Sequence, residues 1–170
     1  MPNKDHGFTL IELLITLMLL AVALAVAIPT FSSTIDAARQ RTQINQLMTD
    51  LNFARSRAIT TRRAVSVCAG NEGCNGLRNW SGQILVFDDV NGHGRVNEAP
   101  VRVSTIAARY EWTWRNFRKQ GHMTFKPDGT THSLNGTFIL CRKRVAVKKI
   151  VINVTGRARL GTPTPKDLCI

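Results

Sequence analysis

The sequence predicts an α+β protein in which one long N-terminal helix packs against a C-terminal antiparallel β domain. Three patterns indicate this fold class: an apolar run at the start, an amphipathic helical pattern after it, and short segments of period two from residue 64 onward. A length of 170 residues accommodates one domain plus a long helix. The hydrophobic content of 44% excludes a disordered chain, and four cysteines are too few for a fold held by disulfides alone.

The apolar run predicts a helix that spans a membrane. Residues 8–28 read FTLIELLITLMLLAVALAVAI, and as a helix they extend for about 31 Å, close to the roughly 30 Å of a bilayer core. A cleaved secretory signal is the alternative, because Ala25-Val26-Ala27 is similar to its cleavage site. The neutral flank, the length of the run and the internal Glu12 disfavour that alternative. An acid at membrane depth is costly and indicates a function.

The start of this run resembles the class III leader junction of type IV pilins and type II secretion pseudopilins. The matching residues are Gly7-Phe8-Thr9-Leu10-Ile11-Glu12-Leu13. The resemblance implies that residues 1–7 are a leader peptide, that a prepilin peptidase cuts after Gly7, and that the new N-terminal Phe8 is methylated. It also implies that Glu12 pairs with the N-terminal amine of a neighbouring subunit during assembly, and that the fold is that of type IV pilins.

The same resemblance predicts the location of the chain. It implies a single-pass protein of the bacterial inner membrane with a periplasmic C-terminal domain, which enters a pilus after assembly with other pilin subunits. Pro29 lies where helices of this family commonly bend, since proline lacks the N–H that a straight helix requires.

Beyond the apolar run, the pattern is that of an amphipathic helix. Charged residues, Asp50 among them, lie largely off the apolar face. One helix from about Thr9 to about Thr61 is therefore predicted, with residues 8–29 as its transmembrane half and residues 30–62 as its amphipathic half. The apolar face consists of Ile44, Leu47, Met48, Leu51, Ala54 and Ala58.

Residues 63–170 are predicted to form a globular β domain. Short segments of period two alternate with turn clusters such as Asn91-Gly92-His93-Gly94 and Pro127-Asp128-Gly129. Short strands against one helix face are enough for a small core. The predicted strands are 64–68, 83–88, 101–105, 110–114, 122–126, 137–141 and 148–154.

Four cysteines suit an exported, oxidised domain and allow three connectivities. We favour Cys68–Cys74, which closes a small loop rich in Gly and Asn, and Cys141–Cys169, which ties the C-terminus to a strand. Four reduced thiols would conflict with the predicted export, and a zinc site would lack the usual short ligand pairs.

The positive charge is concentrated in the last third of the chain. The net charge is +12, which favours an anionic partner such as nucleic acid or lipid headgroups. Residues 109–170 contain thirteen Lys and Arg against Glu111, Asp128 and Asp167, a net of +10. Residues 64–108 have a net charge of −1. The anionic partner is therefore predicted to bind near the C-terminus.

The C-terminal region resembles the GspH/FimT branch of the pseudopilins and minor pilins. An apolar strand precedes Gly156-Arg157-Ala158-Arg159, and Cys169 follows near the end. Residues 88–102 (DDVNGHGRVNEAPVR) are similar to the variable hairpin of that branch. In FimT members that support natural transformation, the Gly-Arg-x-Arg element is associated with DNA binding. The resemblance implies that Arg157 and Arg159 contact DNA while Gly156 shapes the turn.

The residues themselves support a phosphate-binding surface. Arg157 and Arg159 are two positions apart, so their guanidinium groups can project the same way, and each can fork onto a phosphate. Glycine before them permits a close backbone approach. Nothing in the sequence suggests base readout, so sequence-independent binding is predicted. Five further cations nearby in sequence join the predicted DNA-binding set: Arg142, Lys143, Arg144, Lys148 and Lys149.

Other interpretations of these features remain open. The basic residues could form a solvated polar face, and Lys148 and Lys149 could protect an edge strand from aggregation. Tyr110, Trp112 and Trp114, followed by Phe117 and basic residues, could stack on single-stranded bases, although aromatics at period two are more often core. The segment from Asp89 is faintly similar to a calcium loop, and a simple hairpin turn is favoured.

The predicted function is that of a FimT-like minor pilin that binds DNA for uptake. The rival hypotheses are a purely structural minor pilin or GspH-like pseudopilin of type II secretion, and a basic domain that binds anionic lipid. The sequence contains no P-loop, nucleophile elbow or helical metal pair, so neither an enzyme nor a cofactor is predicted.

Overall fold

The first element is a helix of 52 residues, α1 (Leu10–Thr61), which confirms the predicted bounds. The structure is a computed structural model that describes residues 9–96, 99–131 and 133–169, without the side chains of residues 26 and 28–30. The backbone N–H of Glu12 donates to the Thr9 hydroxyl at 3.4 Å, as in an N-terminal cap. The helix ends where Arg62 adopts a left-handed conformation, with φ 53°.

The chain divides into two compact units, with the boundary after Arg41. In the first unit, the described apolar side chains of the helix are exposed, Leu10 at 77% and Met18 at 71%. Within the described residues, no helical stretch combines the length and the apolarity that crossing a membrane requires. The predicted membrane half falls partly outside those residues, because Phe8 and four side chains between 26 and 30 are not described.

The second unit contains two antiparallel sheets and the remainder of α1. The four-stranded sheet has the order β4-β3-β1-β6, and the five-stranded sheet has the order β2-β5-β7-β8-β9. The strands are β1 (Val65–Ala69), β2 (Asn79–Trp80), β3 (Gln83–Asp88), β4 (Arg102–Thr105), β5 (Glu111–Asn116), β6 (His122–Phe125), β7 (Gly136–Arg142), β8 (Val145–Ile152) and β9 (Ala158–Gly161).

All seven predicted strands are present, with ends that differ by a few residues. The prediction missed β2 and β9. Both are short, and β9 reads Ala-Arg-Leu-Gly without a β-branched residue, so no local preference marks it. It is a strand because it pairs with β8, where Ile152 lies opposite Ala158 and Ile150 opposite Leu160.

The core lies between the apolar face of α1 and both sheets. Helix residues such as Leu47, Leu51 and Ala54 are fully buried against a cluster that includes Trp80 and Phe138. The alternating aromatics are core, as favoured: their exposed fractions are 4% for Tyr110, 1% for Trp112 and 0% for Trp114. The rings of Trp114 and Phe138 stack with centroids 4.0 Å apart. They are not available to stack on a nucleic acid base.

Asp50 corrects the predicted polar face of the helix, since its side chain is completely buried. Its carboxylate accepts hydrogen bonds from the Arg102 guanidinium at 2.6 Å and from the Ser104 hydroxyl at 2.5 Å. Gln46 donates a third bond at 3.2 Å. A buried carboxylate is tolerated because it is paired and hydrogen-bonded. It therefore links α1 to β4, which the helical spacing alone did not show.

Both favoured disulfides are present. Cys68–Cys74 and Cys141–Cys169 have Cα separations of 5.6 and 6.0 Å. The first closes the loop that follows β1. The second attaches the C-terminal segment to the end of strand β7. Each lies where the prediction placed it.

The loop after β3 is organised by a buried carboxylate. Asp89 accepts backbone N–H bonds from Gly94 at 2.7 Å and His93 at 3.2 Å, and a third bond from the Ser66 hydroxyl at 2.7 Å. The first two bonds are made within the loop and the third comes from strand β1, as expected for a hairpin turn. Over the described residues, which omit Asn97 and Glu98, no group of acids, histidines and cysteines could hold a metal ion.

Candidate nucleic-acid interface

The Gly-Arg-x-Arg element runs from the turn between β8 and β9 into β9, with Gly156 and Arg157 in the turn and Ala158 and Arg159 in the strand. The Gly156 N–H donates to the Asn153 carbonyl at 2.9 Å, and the Arg157 N–H donates to the Asn153 side-chain oxygen at 2.8 Å. Gly156 has φ 75°, a left-handed conformation that glycine adopts without steric cost. Two bonds to one asparagine and one positive φ thus fix the backbone that presents Arg157.

Gly156 is also needed because another segment lies directly against it. A Cβ at this position would overlap the carbonyl oxygen of Gly129 and would stand 3.2 Å from the Phe125 ring. Gly129 belongs to the turn after β6, and its carbonyl accepts a bond from the Arg55 guanidinium at 3.0 Å. The hairpin tip is therefore packed on a turn that is itself anchored to α1.

Arg157 and Arg159 are both exposed. Arg159 lies opposite Val151 on the face of the five-stranded sheet away from the core, and Arg157 has the same parity one step before the strand. Among the described residues, no hydrogen bond or ion pair engages either guanidinium group. Both remain available for an anionic ligand.

Lys148 and Lys149 lie on opposite faces of β8. Lys149 forms an ion pair with Asp167 at 2.9 Å. This bond from Lys149 and a backbone N–H bond from Thr164 lower the pKa of Asp167 to about 2. Lys148 is half-buried opposite Leu140 on the other face of β8. Lys149 therefore lies on the outer face with Arg159 but is engaged by Asp167, whereas Lys148 lies on the opposite face.

The C-terminal segment covers part of the outer sheet face. Asp167 holds it to β8, the Cys141–Cys169 disulfide holds it to β7, and the carbonyl of Lys166 accepts a 2.6 Å bond from Arg115 on β5. These three attachments fix a segment that contains two prolines and has no strand of its own after β9.

Arg142, Lys143 and Arg144 form the turn at the opposite end of β8. Lys143 and Arg144 have φ values of 50° and 63°, as in a two-residue turn of type I′. The eight residues of β8 separate this turn from Asn153 by about 26 Å. One contiguous basic cluster was the expectation, but the five-stranded sheet has two basic ends. Closeness in sequence was misleading here, because the two turns precede and follow the same strand, β8, and therefore lie at opposite ends of the sheet.

Each basic end adjoins a cleft. The cleft near Arg144 has a volume of about 640 Å³ and is also lined by Arg109. The cleft at the other end has a volume of about 550 Å³. Its cations are Arg62, Arg63, Arg118 and Lys126, and none of the described residues lining it is acidic.

The second cleft was not predicted from the sequence. Its four cations come from the end of α1, the turn after β5 and the end of β6, so no short motif unites them. Thr131 connects this cleft to the hairpin: its N–H donates to the Val154 carbonyl at 3.0 Å, and its hydroxyl donates to the Asn153 carbonyl at 3.2 Å. The cleft and the Gly-Arg-x-Arg turn are therefore neighbours.

The predicted processing and assembly residues belong to the N-terminal segment. Gly7 and Phe8 lie outside the described residues. Glu12 lies in the first turn of α1, where its negative charge is favourable at the positive end of the helix dipole.

Comparisons with known proteins agree with this architecture. The family model of the type II transport protein GspH matches residues 43–156, and the prokaryotic N-terminal methylation motif matches residues 2–28. The crystal structure of the type IV minor pilin FimU of Pseudomonas aeruginosa superposes with a TM-score of 0.58 at 23% identity, covering 74% of this chain and 90% of FimU. A second crystal form of FimU gives 0.55, with 71% and 91% covered. No curated protein sequence matches the chain.

Proposed function

This chain belongs to the GspH family, and on that premise we propose that it is a minor type IV pilin that binds DNA through its basic C-terminal surface. Binding is independent of sequence, is directed at phosphates and serves DNA uptake in natural transformation. The chain acts as a structural subunit without a cofactor. Residues 8–29 anchor it in the inner membrane before assembly. A prepilin peptidase cleaves after Gly7, and the new N-terminal Phe8 is methylated. Glu12 then pairs with a neighbouring pilin subunit as the chain enters the pilus.

The observation that carries the DNA-binding proposal is the hydrogen-bonded turn that presents Arg157, followed by the exposed Arg159 in β9. Two guanidinium groups without a partner among the described residues can each hold a phosphate oxygen pair. Lys126, at the end of β6, starts the turn whose Gly129 packs against Gly156, which adds a further cation beside the hairpin. Several fixed cations without base-reading groups favour contact with the phosphate backbone.

The test is a DNA titration of the full-length chain in nonionic detergent at several salt concentrations. The variant R157Q/R159Q removes two phosphate contacts, so the slope of log K against log salt should flatten by about 1.8 for duplex DNA. Between 50 and 200 mM salt, that change corresponds to roughly a tenfold smaller loss of affinity. Affinity at low salt should fall at least tenfold.

K143Q/R144Q is the matched control, because it removes the same charge from the opposite end of β8. If general attraction to a basic protein explains binding, both variants will weaken it equally. A local site predicts that only R157Q/R159Q does so. Unchanged affinity and slope for R157Q/R159Q would show that the proposed site is wrong.

The assembly role has a separate test. Replacement of Glu12 by alanine should block incorporation into pili while the protein still accumulates in the membrane, because the partner of the N-terminal amine is lost. The Thr16→Ala variant, changed one turn further along the same helix, should be incorporated normally. Normal incorporation of the Glu12 variant, measured by immunoblot of sheared pili, would contradict the assignment.

A structural subunit that does not bind DNA is the second candidate. The family match ends at Gly156, so membership does not depend on Arg157 or Arg159. Neighbouring genes for type II secretion rather than for a pilus would favour this candidate. Binding of the chain to anionic lipid vesicles, with no binding to DNA, would favour the lipid-binding alternative.

A further inference from the structure

The turn between β5 and β6 exposes an aromatic ring beside two cations. Phe117 has 91% of its surface exposed, the largest value among the exposed large hydrophobic residues described. Arg118 and Lys119 follow it and are exposed as well. An exposed phenylalanine buries no apolar surface and so does not stabilise the fold in this way. Aromatic rings interleaved with cations form the type of surface that stacks on unpaired bases.

This turn is rigid. The Asn116 side chain spans it, accepting the Gln120 N–H at 3.0 Å and donating to the Gln120 carbonyl at 2.8 Å. The Lys119 N–H donates to the Asn116 carbonyl at 3.2 Å, and Lys119 has φ 55°. The ring therefore stands on a fixed backbone, which lowers the entropy lost when a ligand binds.

The strand register places Phe117 at the same end of the sheet as the Gly-Arg-x-Arg turn. Asn116 lies opposite Gly136, Gly136 opposite Ile152, and Ile152 opposite Ala158. Three strand spacings of about 4.8 Å therefore separate the residue before Phe117 from the residue after Arg157, about 14 Å in all.

Cations border the surface between the two turns. On the outer face, Arg115 and Arg159 lie at the two ends of one row of the register, with Thr137 and Val151 between them. Arg118 lines the 550 Å³ cleft and donates a 2.9 Å bond to the Ser133 hydroxyl. Asp167, the acid beside Phe117, is neutralised by Lys149. A strand that crosses from Phe117 to Arg157 would meet positive charge at both ends of this path.

We propose that Phe117 is a base-stacking site for single-stranded DNA, with Arg118 and Lys126 holding the adjacent phosphates. The inference rests on the proposed DNA-binding function and assigns it a preference for single strands. In a duplex, each base face is covered by the neighbouring bases in the stack, so no free base face is available to the Phe117 ring. The phosphate contacts of Arg157 and Arg159 serve both forms of DNA.

The test compares a single-stranded oligonucleotide with a duplex of equal length, both bound to the full-length chain in nonionic detergent. F117L removes the aromatic face and keeps an apolar side chain, and should weaken single-strand binding about tenfold, within the range for one stacked base. Duplex binding should change less than twofold. F117W keeps the aromatic face and should bind the single strand at least as tightly as wild type. R118Q/K126Q should weaken single-strand binding and flatten its salt slope by about 1.4.

The outcomes separate the two proposals. If F117L binds the single strand within twofold of wild type while R157Q/R159Q is weakened, the stacking site is wrong and the proposed function stands. If R157Q/R159Q is unaffected while F117L is weakened, the Gly-Arg-x-Arg site fails and the stacking site stands. Binding of neither DNA form by wild type overturns both. Reduced incorporation of F117L into pili with unchanged DNA binding would make Phe117 a subunit contact and overturn the inference.

Discussion

Substitution of Gly156 by alanine tests whether the hairpin tip is positioned by its close packing. The change introduces a Cβ where the carbonyl oxygen of Gly129 already lies, in a backbone with φ 75°. A non-glycine residue in this conformation costs about 1–2 kcal/mol, and forcing an extra carbon into a packed site adds about 1–3 kcal/mol. The expected loss of unfolding free energy is therefore about 2–5 kcal/mol.

Gly82 provides the control for this prediction. It has the same φ of 75°, but no heavy atom lies within 4 Å of the Cβ that alanine would add. Gly82→Ala should cost only the conformational 1–2 kcal/mol. The difference between the two variants isolates the contact with the Gly129 turn.

Urea unfolding, followed by the fluorescence of the buried Trp80, Trp112 and Trp114, measures both variants. Gly156→Ala should also reduce DNA affinity, because Arg157 must shift when the turn moves, whereas Gly82→Ala should not. Equal destabilisation by the two substitutions would refute the reasoning, since the contact at Gly156 would then contribute nothing.

Two further predictions concern the C-terminal segment. The bond from Lys149 lowers the pKa of Asp167 from 3.8 to about 2, so this carboxylate stabilises the fold above pH 4, and its contribution is lost as the pH falls toward 2. In urea unfolding, the unfolding free energy of wild type should fall by about 2 kcal/mol more between pH 5 and pH 2 than that of Asp167→Asn. Identical pH profiles of the two proteins would contradict this. Cys169→Ser removes the disulfide with a sequence separation of 28 and should lower the unfolding free energy by up to about 3.6 kcal/mol. C68S/C74S removes the disulfide with a separation of 6 and should lower it by about 2 kcal/mol. A smaller loss for the longer loop in thermal unfolding would show that the C-terminal attachment contributes little.

Local patterns predicted much of the fold. The bounds of α1, the seven principal strands and both disulfides followed from periodicity, turn residues and cysteine spacing, because each of these signals lies within a short stretch of chain. The role of Gly156 in its turn was implied by the family resemblance, whereas its close contact with the Gly129 carbonyl, 27 residues away in sequence, came only from the structure. The N-terminal processing residues depend on a contiguous motif in the same way.

The tertiary structure decided the features that depend on strand pairing and packing. Asp50 is buried because β4 brings Arg102 and Ser104 to it, and β9 is a strand because β8 offers a partner. Arg142–Arg144 and Arg157 are close in sequence but lie at opposite ends of β8. Conversely, Phe117 and Arg157 are forty residues apart in sequence and lie at one end of the sheet. The sequence alone determined that the C-terminal third is basic, whereas the register of five strands determined which of its cations can act on one ligand, because register is set by pairing along the whole sheet.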